Sequence, residues 1–445
     1  DSDEQSSDIK RADMSYKEYL EKYADATVDV PTIAIDFVNP SNKGKGTRTE
    51  TVNGEQAIVI DQDSFAEYTV NVEKSGFYVI NTRYLILEGK PINAETKISV
   101  DGAVPYTEAT TVTFTRIWKD ENYADGAKLN EYGHMYDASG NELTPDTEEV
   151  FKWSDYVMHD IDYTTDADMR FYLEAGTHTI RIDLIRESLA FSKLELTKDK
   201  TIRTYAEALA EYEKLGYTKY DGEVITVHAE NTAERSDQSL TMTADYASAS
   251  TTPAHPSLTR LNTVGGELWT KTGQWVSWDV NVPKAGLYTV SFKYRQDYVR
   301  GFKVYRSVSV NGEVPFAEFD GVPFKSNADW ENYTASNDNG EAYYVYLKEG
   351  TNNIRLTATL GPVADSLQVL SENIAELNAI YLEIIQITGT SPDSNRDYQL
   401  FERIADLEEM MNSAIDSMAT TKENVDILNG GNGGGDAEIL NTLVV

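Results

Sequence analysis

A short run in the second half of the chain, Tyr294-Arg295-Gln296-Asp297-Tyr298 followed by Arg300, holds the residue types that recognise a polyhydroxylated ring. An aromatic face packs against C–H groups while guanidinium, amide and carboxylate groups hydrogen-bond to hydroxyls. Trp269 and Trp330 lie in loop-like sequence, and Arg260 and Asn262 in a polar stretch before them. Earlier, Arg116, Trp118 and Lys119 stand in a long connection, with Trp153 and Tyr156 further on. Four of these have a structural alternative. Arg295 and Arg300 can pin loops by pairing with acids, and Trp118 and Trp269 can pack beneath long loops.

Signatures of catalysis are missing. The chain has no cysteine, so disulfides, thiolate metal sites and thiol nucleophiles are excluded. His134, His159, His178, His228 and His255 contain no i, i+4 pair and no H-E-x-x-H. No G-x-S-x-G occurs. With 74 Asp and Glu, carboxylate pairs suited to glycoside hydrolysis arise everywhere and none stands out. Asp137-Ala138-Ser139-Gly140-Asn141-Glu142 reads as a β-turn, because its Gly and Glu are misplaced for a calcium loop. Gly430 to Gly435 lacks the preceding strand and the Lys of a phosphate loop and reads as a linker. The expectation is a binding protein without enzymatic activity.

The formal net charge is −35, a surface that repels nucleic-acid phosphates and anionic membranes. No run of 18 apolar residues exists to form a membrane-spanning helix. The polar residues 1–14 read as a disordered tether of the kind that follows an export signal or a lipid anchor.

The elements that must position the candidate residues are repeated. Tyr16-Lys17-Glu18-Tyr19-Leu20-Glu21-Lys22-Tyr23 parallels Tyr205-Ala206-Glu207-Ala208-Leu209-Ala210-Glu211-Tyr212. Both are short helix formers, followed by apolar strand-like stretches at Thr32 to Phe37 and Val224 to Ala229. Tyr68-Thr69-Val70-Asn71-Val72 through Gly76-Phe77-Tyr78 parallels Trp278-Asp279-Val280-Asn281-Val282 through Gly286-Leu287-Tyr288. Ile98-Ser99-Val100-Asp101-Gly102 parallels Val308-Ser309-Val310-Asn311-Gly312, and Asp-Gly and Asn-Gly are strong hairpin signals. Phe171 to Arg181 parallels Val345 to Arg355. The offsets are 189, 210, 210 and 174. Equal central offsets with unequal ends describe one scaffold with different loops. The first copy carries a long connection, roughly 106–168, and the second an extra stretch, roughly 232–273. Short alternating strands with frequent turns predict a mainly β fold of two antiparallel sandwiches.

The order of these segments resembles the galactose-binding-like jelly roll of carbohydrate-binding modules, families 6 and 35. Ile225-Thr226-Val227-His228-Ala229-Glu230-Asn231 is similar to the opening strand of those modules. There the resemblance implies a structural Ca²⁺ held by Glu230. Over nearly the whole chain a second resemblance holds, to the N-terminal region of extracellular solute-binding proteins of Gram-positive ABC sugar importers. It rests on Phe114 to Glu121, Arg260 to Gly266, Tyr294 to Gly301, Ile387-Thr388-Gly389 and Arg396 to Leu400. It implies an exported, lipid-anchored, cell-surface protein that binds an oligosaccharide or polysaccharide. Its partners would be a downstream solute-binding domain and an ABC permease. Two alternatives stay open: a structural or interaction module that binds no glycan, and an accessory region of a polysaccharide-degrading enzyme.

After Leu360 the period changes. Leu367, Leu370, Ile374, Leu377, Tyr381 and Ile384 predict one apolar helical seam, and Leu400, Ile404, Leu407, Met411, Ala414 and Met418 a second. The expected layout is a tether (1–14), helix and first jelly roll (15–200), linker helix (201–221), second jelly roll (222–361), helical hairpin (362–428) and Gly-rich tail (429–445).

Overall fold

A computed structural model describes residues 9–159, 168–246, 248 and 250–431. Most of the N-terminal tether and of the Gly-rich tail lies outside the described residues.

Ser15 and Thr204 each cap a short helix, α1 (Tyr16–Lys22) and α2 (Tyr205–Lys214), in a reciprocal capping box with Glu18 and Glu207. The backbone N–H groups of Tyr16 and Tyr205 donate to Glu108 and Glu318 at 2.8 and 2.7 Å. Tyr23 stacks on Tyr172 at 4.1 Å, and Tyr217 on Tyr346 at 3.9 Å. The repeat therefore reaches down to individual contacts. Each helix closes the end of its own sandwich with buried aromatic side chains, Tyr16 and Tyr19 in one and Tyr212 in the other.

The first half contains β1 (Ile33–Ala34), β2 (Asn42–Lys43), β3 (Thr47–Val52), β4 (Glu55–Ile60), β5 (Phe65–Val72), β6 (Gly76–Ile86), β7 (Ala94–Val100), β8 (Val112–Phe114), β9 (Trp118–Asp120), β10 (Thr147–Glu149), β11 (Ser154–Val157), β12 (Arg170–Leu173), β13 (Gly176–Arg186) and β14 (Leu189–Thr197). One sheet runs β11-β6-β14-β4-β3, with β1 added on β14 and β12 on β6. The facing sheet runs β2-β5-β13-β7-β8. Alternate residues such as Tyr68, Val70 and Val72 point inward and meet Ile58, Ile80, Phe114, Ile180 and Phe191. Asp101 and Gly102, and Asn311 and Gly312, have positive φ as a tight hairpin requires.

The second half contains β15 (Glu234–Arg235), β16 (Met242–Thr243), β17 (Thr263–Val264), β18 (Trp275–Val282), β19 (Gly286–Tyr288), β20 (Ser291–Tyr294), β21 (Val304–Val310), β22 (Val322–Phe324), β23 (Glu331–Thr334), β24 (Val345–Leu347) and β25 (Gly350–Thr359). Its core gathers Val276, Trp278, Val280, Val308, Phe316, Phe319, Ile354 and Leu356. Two expectations fail here. Val224 to Ala229 forms no strand, and Val224 is 92% exposed. In the first half the corresponding β1 pairs with β14, and the second half has no counterpart of β14 among the described residues.

The expected boundary at residue 200 also cuts through a sheet. β9 and β10, from the long connection of the first copy, join the second sandwich in the order β10-β9-β15-β18-β25-β21-β22. Trp118 lies opposite Arg235 in that ladder. The Arg235 side chain has no exposure and donates to Asp120 at 2.7 Å and to Thr147 at 2.8 Å. The two loops that distinguish the copies are thus packed against each other.

The helical hairpin consists of α3 (Ala364–Thr388), α4 (Leu400–Arg403) and α5 (Leu407–Leu428). Its seam is rotated from the expected one. Ser366, Asn373 and Ile380 are buried on α3, whereas Leu367, Ile374 and Tyr381 are exposed. Asn373 donates to Ser417 across the pair at 2.9 Å, a polar contact that a count of apolar residues passes over. On α5, Leu407, Ala414 and Met418 are buried as expected, while Met411 is 40% exposed. The end of α5 returns to the second sandwich, where the Lys303 N–H donates to Asn429 at 3.0 Å.

Removing one member of a buried ion pair leaves the other charge without compensation, at about 3–5 kcal/mol. Asp120→Ala is expected to lower stability by roughly 3 kcal/mol in denaturant unfolding. Arg235→Met added to it should recover part of that loss, because the stranded charge goes with it.

Candidate functional site

At one end of the second sandwich, loops after β16, β20 and β22 converge. Asp245, two residues beyond β16, is their common point. One carboxylate oxygen, Oδ2, accepts from Arg295 Nη1 at 3.0 Å and from the indole N–H of Trp330. The Arg295 guanidinium lies 5.6 Å from the Trp330 ring centre. Its Nε is 3.4 Å from Asp297, whose side chain is 41% exposed. Asn262 holds the loop in place. It accepts from the Asp245 N–H at 2.8 Å and donates to the carbonyls of Asp245 and Pro253 at 3.1 and 2.9 Å.

Exposed aromatic rings flank this group. Tyr298 is 56% exposed and Tyr246 68%. The Tyr246 hydroxyl donates to Thr259 at 2.9 Å. Desolvation, then Glu267 and Asp297, raise the pKa of Tyr298, so its hydroxyl stays protonated and able to donate. The set can stack a ring and hydrogen-bond its substituents from both charge signs. Asp245, Tyr246 and Glu267 escaped the sequence reading. They carry no motif, and only the fold brings Asp245 to Arg295 and Glu267 to Tyr298.

The other expected residues have different tasks. Gln296 is buried and bonds the carbonyls of Val299 and Phe302 at 3.0 and 3.1 Å, so it shapes the loop that presents Tyr298. Arg300 is exposed on that loop. Tyr294 packs on Phe324 at 5.0 Å and donates to the Lys325 carbonyl. Trp269 donates to the Gln274 carbonyl at 3.1 Å and lies under Arg306 at 4.6 Å, which makes it a packing residue.

Arg116, Trp118 and Arg260 are corrections. Arg116 has a fully buried side chain, paired with Glu149 and, at 2.9 Å, with Glu187, and it donates to the carbonyls of Leu87 and Ile92. No ligand can reach it without dismantling that cluster. Trp118 is buried in the ladder between the sandwiches. Arg260 donates to the Gly140 carbonyl at 2.9 Å and lies 3.6 Å from Glu142, tying the two long loops together.

Glu230 belongs to the same seam between the halves. Its side chain is 3% exposed, 3.3 Å from His228. Nearby, His134 contacts Glu142 at 3.1 Å and Asn231 at 2.9 Å. Glu230 Oε1 accepts no hydrogen bond. Ca²⁺ takes six to eight oxygen ligands, and among the described residues no three His, Asp or Glu side chains are placed to hold a metal. Side chains alone therefore do not complete a calcium site at Glu230, and backbone and amide oxygens would have to supply most of its ligands.

Residues 365–445 match the family model described as bacterial solute-binding protein, 4-helix bundle domain. A search of curated proteins finds no match. Among solved structures, a family 35 carbohydrate-binding module from Clostridium thermocellum is 15% identical, covering 37% of this chain and 97% of its own, with a TM-score of 0.21. The C-terminal family 6 module of a Zobellia galactanivorans laminarinase is 13% identical, covering 38% and 100%, with a TM-score of 0.21. A module of Cellvibrio mixtus lichenase, solved with cellotriose, is 16% identical, covering 39% and 98%, with a TM-score of 0.19. No helix among the described residues is long and apolar enough to cross a membrane.

Desolvation raises the pKa of Glu230 above the ordinary carboxylate value of 4.5. In the pH range between its unfolded and folded pKa the folded state binds more protons, so stability falls as pH rises through that range. Glu230→Gln should therefore raise the melting temperature at pH 7 relative to the parent and leave it nearly unchanged near pH 4. A parent whose stability does not decline relative to the variant between those pH values would contradict this.

Proposed function

We propose that the loop end of the second sandwich binds a carbohydrate without transforming it, as the sugar-recognition region of a surface-exposed solute-binding protein of an ABC importer. One observation carries the reading. Asp245, Arg295 and Trp330 form an interlocked polar and aromatic group with Tyr298 and Tyr246 exposed beside it. Sugar recognition asks for this combination, an aromatic face with few, well-held polar groups around it. The match of residues 365–445 to the solute-binding-protein bundle supports the importer context. The absence of nucleophile and zinc motifs from the sequence supports a binding role rather than a catalytic one.

A second reading rests on a different observation. The long loops of both halves are spent on each other, through Arg235, Glu142, His134 and Arg260. That favours a rigid spacer that presents another domain. The first sandwich serves this role in either case, since its Arg116 and Trp118 are enclosed.

Calorimetric titration with a panel of neutral and acidic oligosaccharides separates the two, run once with Ca²⁺ and once with a chelator. Binding is expected to be weakened at least tenfold by Tyr298→Ala and by Trp330→Ala, with Arg116→Met unchanged if it folds. No binding by any sugar at millimolar concentration would leave the spacer reading.

A further inference from the structure

We propose that the second sandwich contains an open slot, one strand wide, that takes an extended polypeptide segment with apolar residues at alternate positions.

The inference comes from laying one half on the other. β6 pairs with β12 and β11 along one edge, with Gly76 opposite Leu173 and Asn81 opposite Val157. Its counterpart, β19 with β20, pairs with β24 and β23 in the same register, Gly286 opposite Leu347 and Ser291 opposite Thr334. Along its other edge β6 is bonded to β14 from Ile86 to Val79. Residues 289–296 are the equivalent edge in the second half. There the chain leaves β25 for α3, and among the described residues no strand lies along it.

The same comparison assigns the far side of the slot. β2 pairs with β5 at Asn42–Glu67, and β15 with β18 at Glu234–Ser277, so β15 is the counterpart of β2. The hairpin that follows, β16 with β17, then corresponds to β3 with β4. In the first half β14 lies between β6 and β4. The order β6-β14-β4-β3 becomes β20, an unfilled position, β17 and β16.

Burial follows the same difference. Tyr78, Ile80, Thr82 and Tyr84 on β6 are buried, but Tyr288, Val290, Phe292 and Tyr294 are only partly so. Lys293 and Arg295, alternate residues of β20 and its continuation, reach instead to the loop after β16, at the Ser250 carbonyl and at Asp245. The exposed segment at Val224 fits too, since β1 rests on β14 and its counterpart has nothing to rest on.

The occupant is a strand rather than a second copy of this chain. An unpaired edge is a template for any strand, and the correspondence with the first half sets β17 across from it, an arrangement that accepts a single extended segment. Pairing two copies edge to edge would leave β17 unpaired. In β14, Leu189, Phe191, Leu194 and Leu196 enter the main core, alternating on either side of a register shift between Phe191 and Lys193, while Ala190 is buried in a separate cluster with Ala57 and Val59; the strand runs antiparallel to β6. A segment of that pattern, antiparallel to β20, would complete the sheet.

The probe is a synthetic peptide with the sequence Glu187 to Lys198, added to the full chain. Hydrogen exchange is read by peptide-resolved mass spectrometry, and binding by anisotropy of a labelled copy. The expected result is saturable binding with at least tenfold slower exchange over 289–294, absent for the Leu194→Pro peptide. Three results would overturn the proposal. Residues 289–294 could already exchange as slowly as 80–84 without peptide. The peptide could bind without protecting 289–294. Protection could depend on protein concentration alone, with a dimer in light scattering.

Discussion

Arg235 is the point on which the arrangement of the two halves depends. A guanidinium with no solvent exposure must have its charge matched where it sits, and Asp120, from the first copy's long connection, supplies the match. The same connection pairs its backbone with β15 through Trp118 and Arg235. Ladder bonds and ion pair form together or not at all, because a shift of one residue would turn Asp120 to the other face. Lys152 with Glu234, and His134 with Asn231, extend the contact on either side. Two domains joined only by α2 would be free to swing; joined also by a shared sheet, they present their loops in a fixed relation.

That constraint decides which loops are left outside the junction. In the first half, strands and side chains of the long connection are consumed by it. In the second half, part of the extra stretch is consumed as well, through Arg260 and Leu261 against Gly140 and Glu142. Asp245 and Pro253, further along that stretch, are held by Asn262, and Asp245 meets Arg295 at the end of β20. A buried amide with several backbone partners is a rigid support. The pre-set geometry lowers the ordering cost of binding.

Much of this architecture was legible from the residues. The Asp-Gly and Asn-Gly turns, the paired helix caps and the alternating strands each carry a local signal, and each appears in place. Arg295 and Trp330 were legible as candidates because aromatic and guanidinium groups clustered near a strand end. Arg116 and Trp118 carried the same signal and proved to be internal. Side-chain type does not report burial, and a fully paired Arg looks like a free one in sequence. Asp245 was illegible for the opposite reason. It is one acid among 74, and its meaning comes from three loops meeting. The shift of the α3 seam has a similar cause, since Asn373 packs inward only because Ser417 satisfies it.

The divergence of the copies and the location of the candidate site have one origin. Leu85 in the first half corresponds to Arg295 in the second, and Leu85 is 4% exposed beside the completed β14. There an apolar residue seals the sheet. In the second half the chain departs into α3 instead of forming that strand, and the cationic side chain of Arg295 bonds Asp245. A position that is sealed in one copy is polar and accessible in the other. The asymmetry lies in the strand framework itself, and it leaves the second sandwich with a polar group where the first has a sealed core.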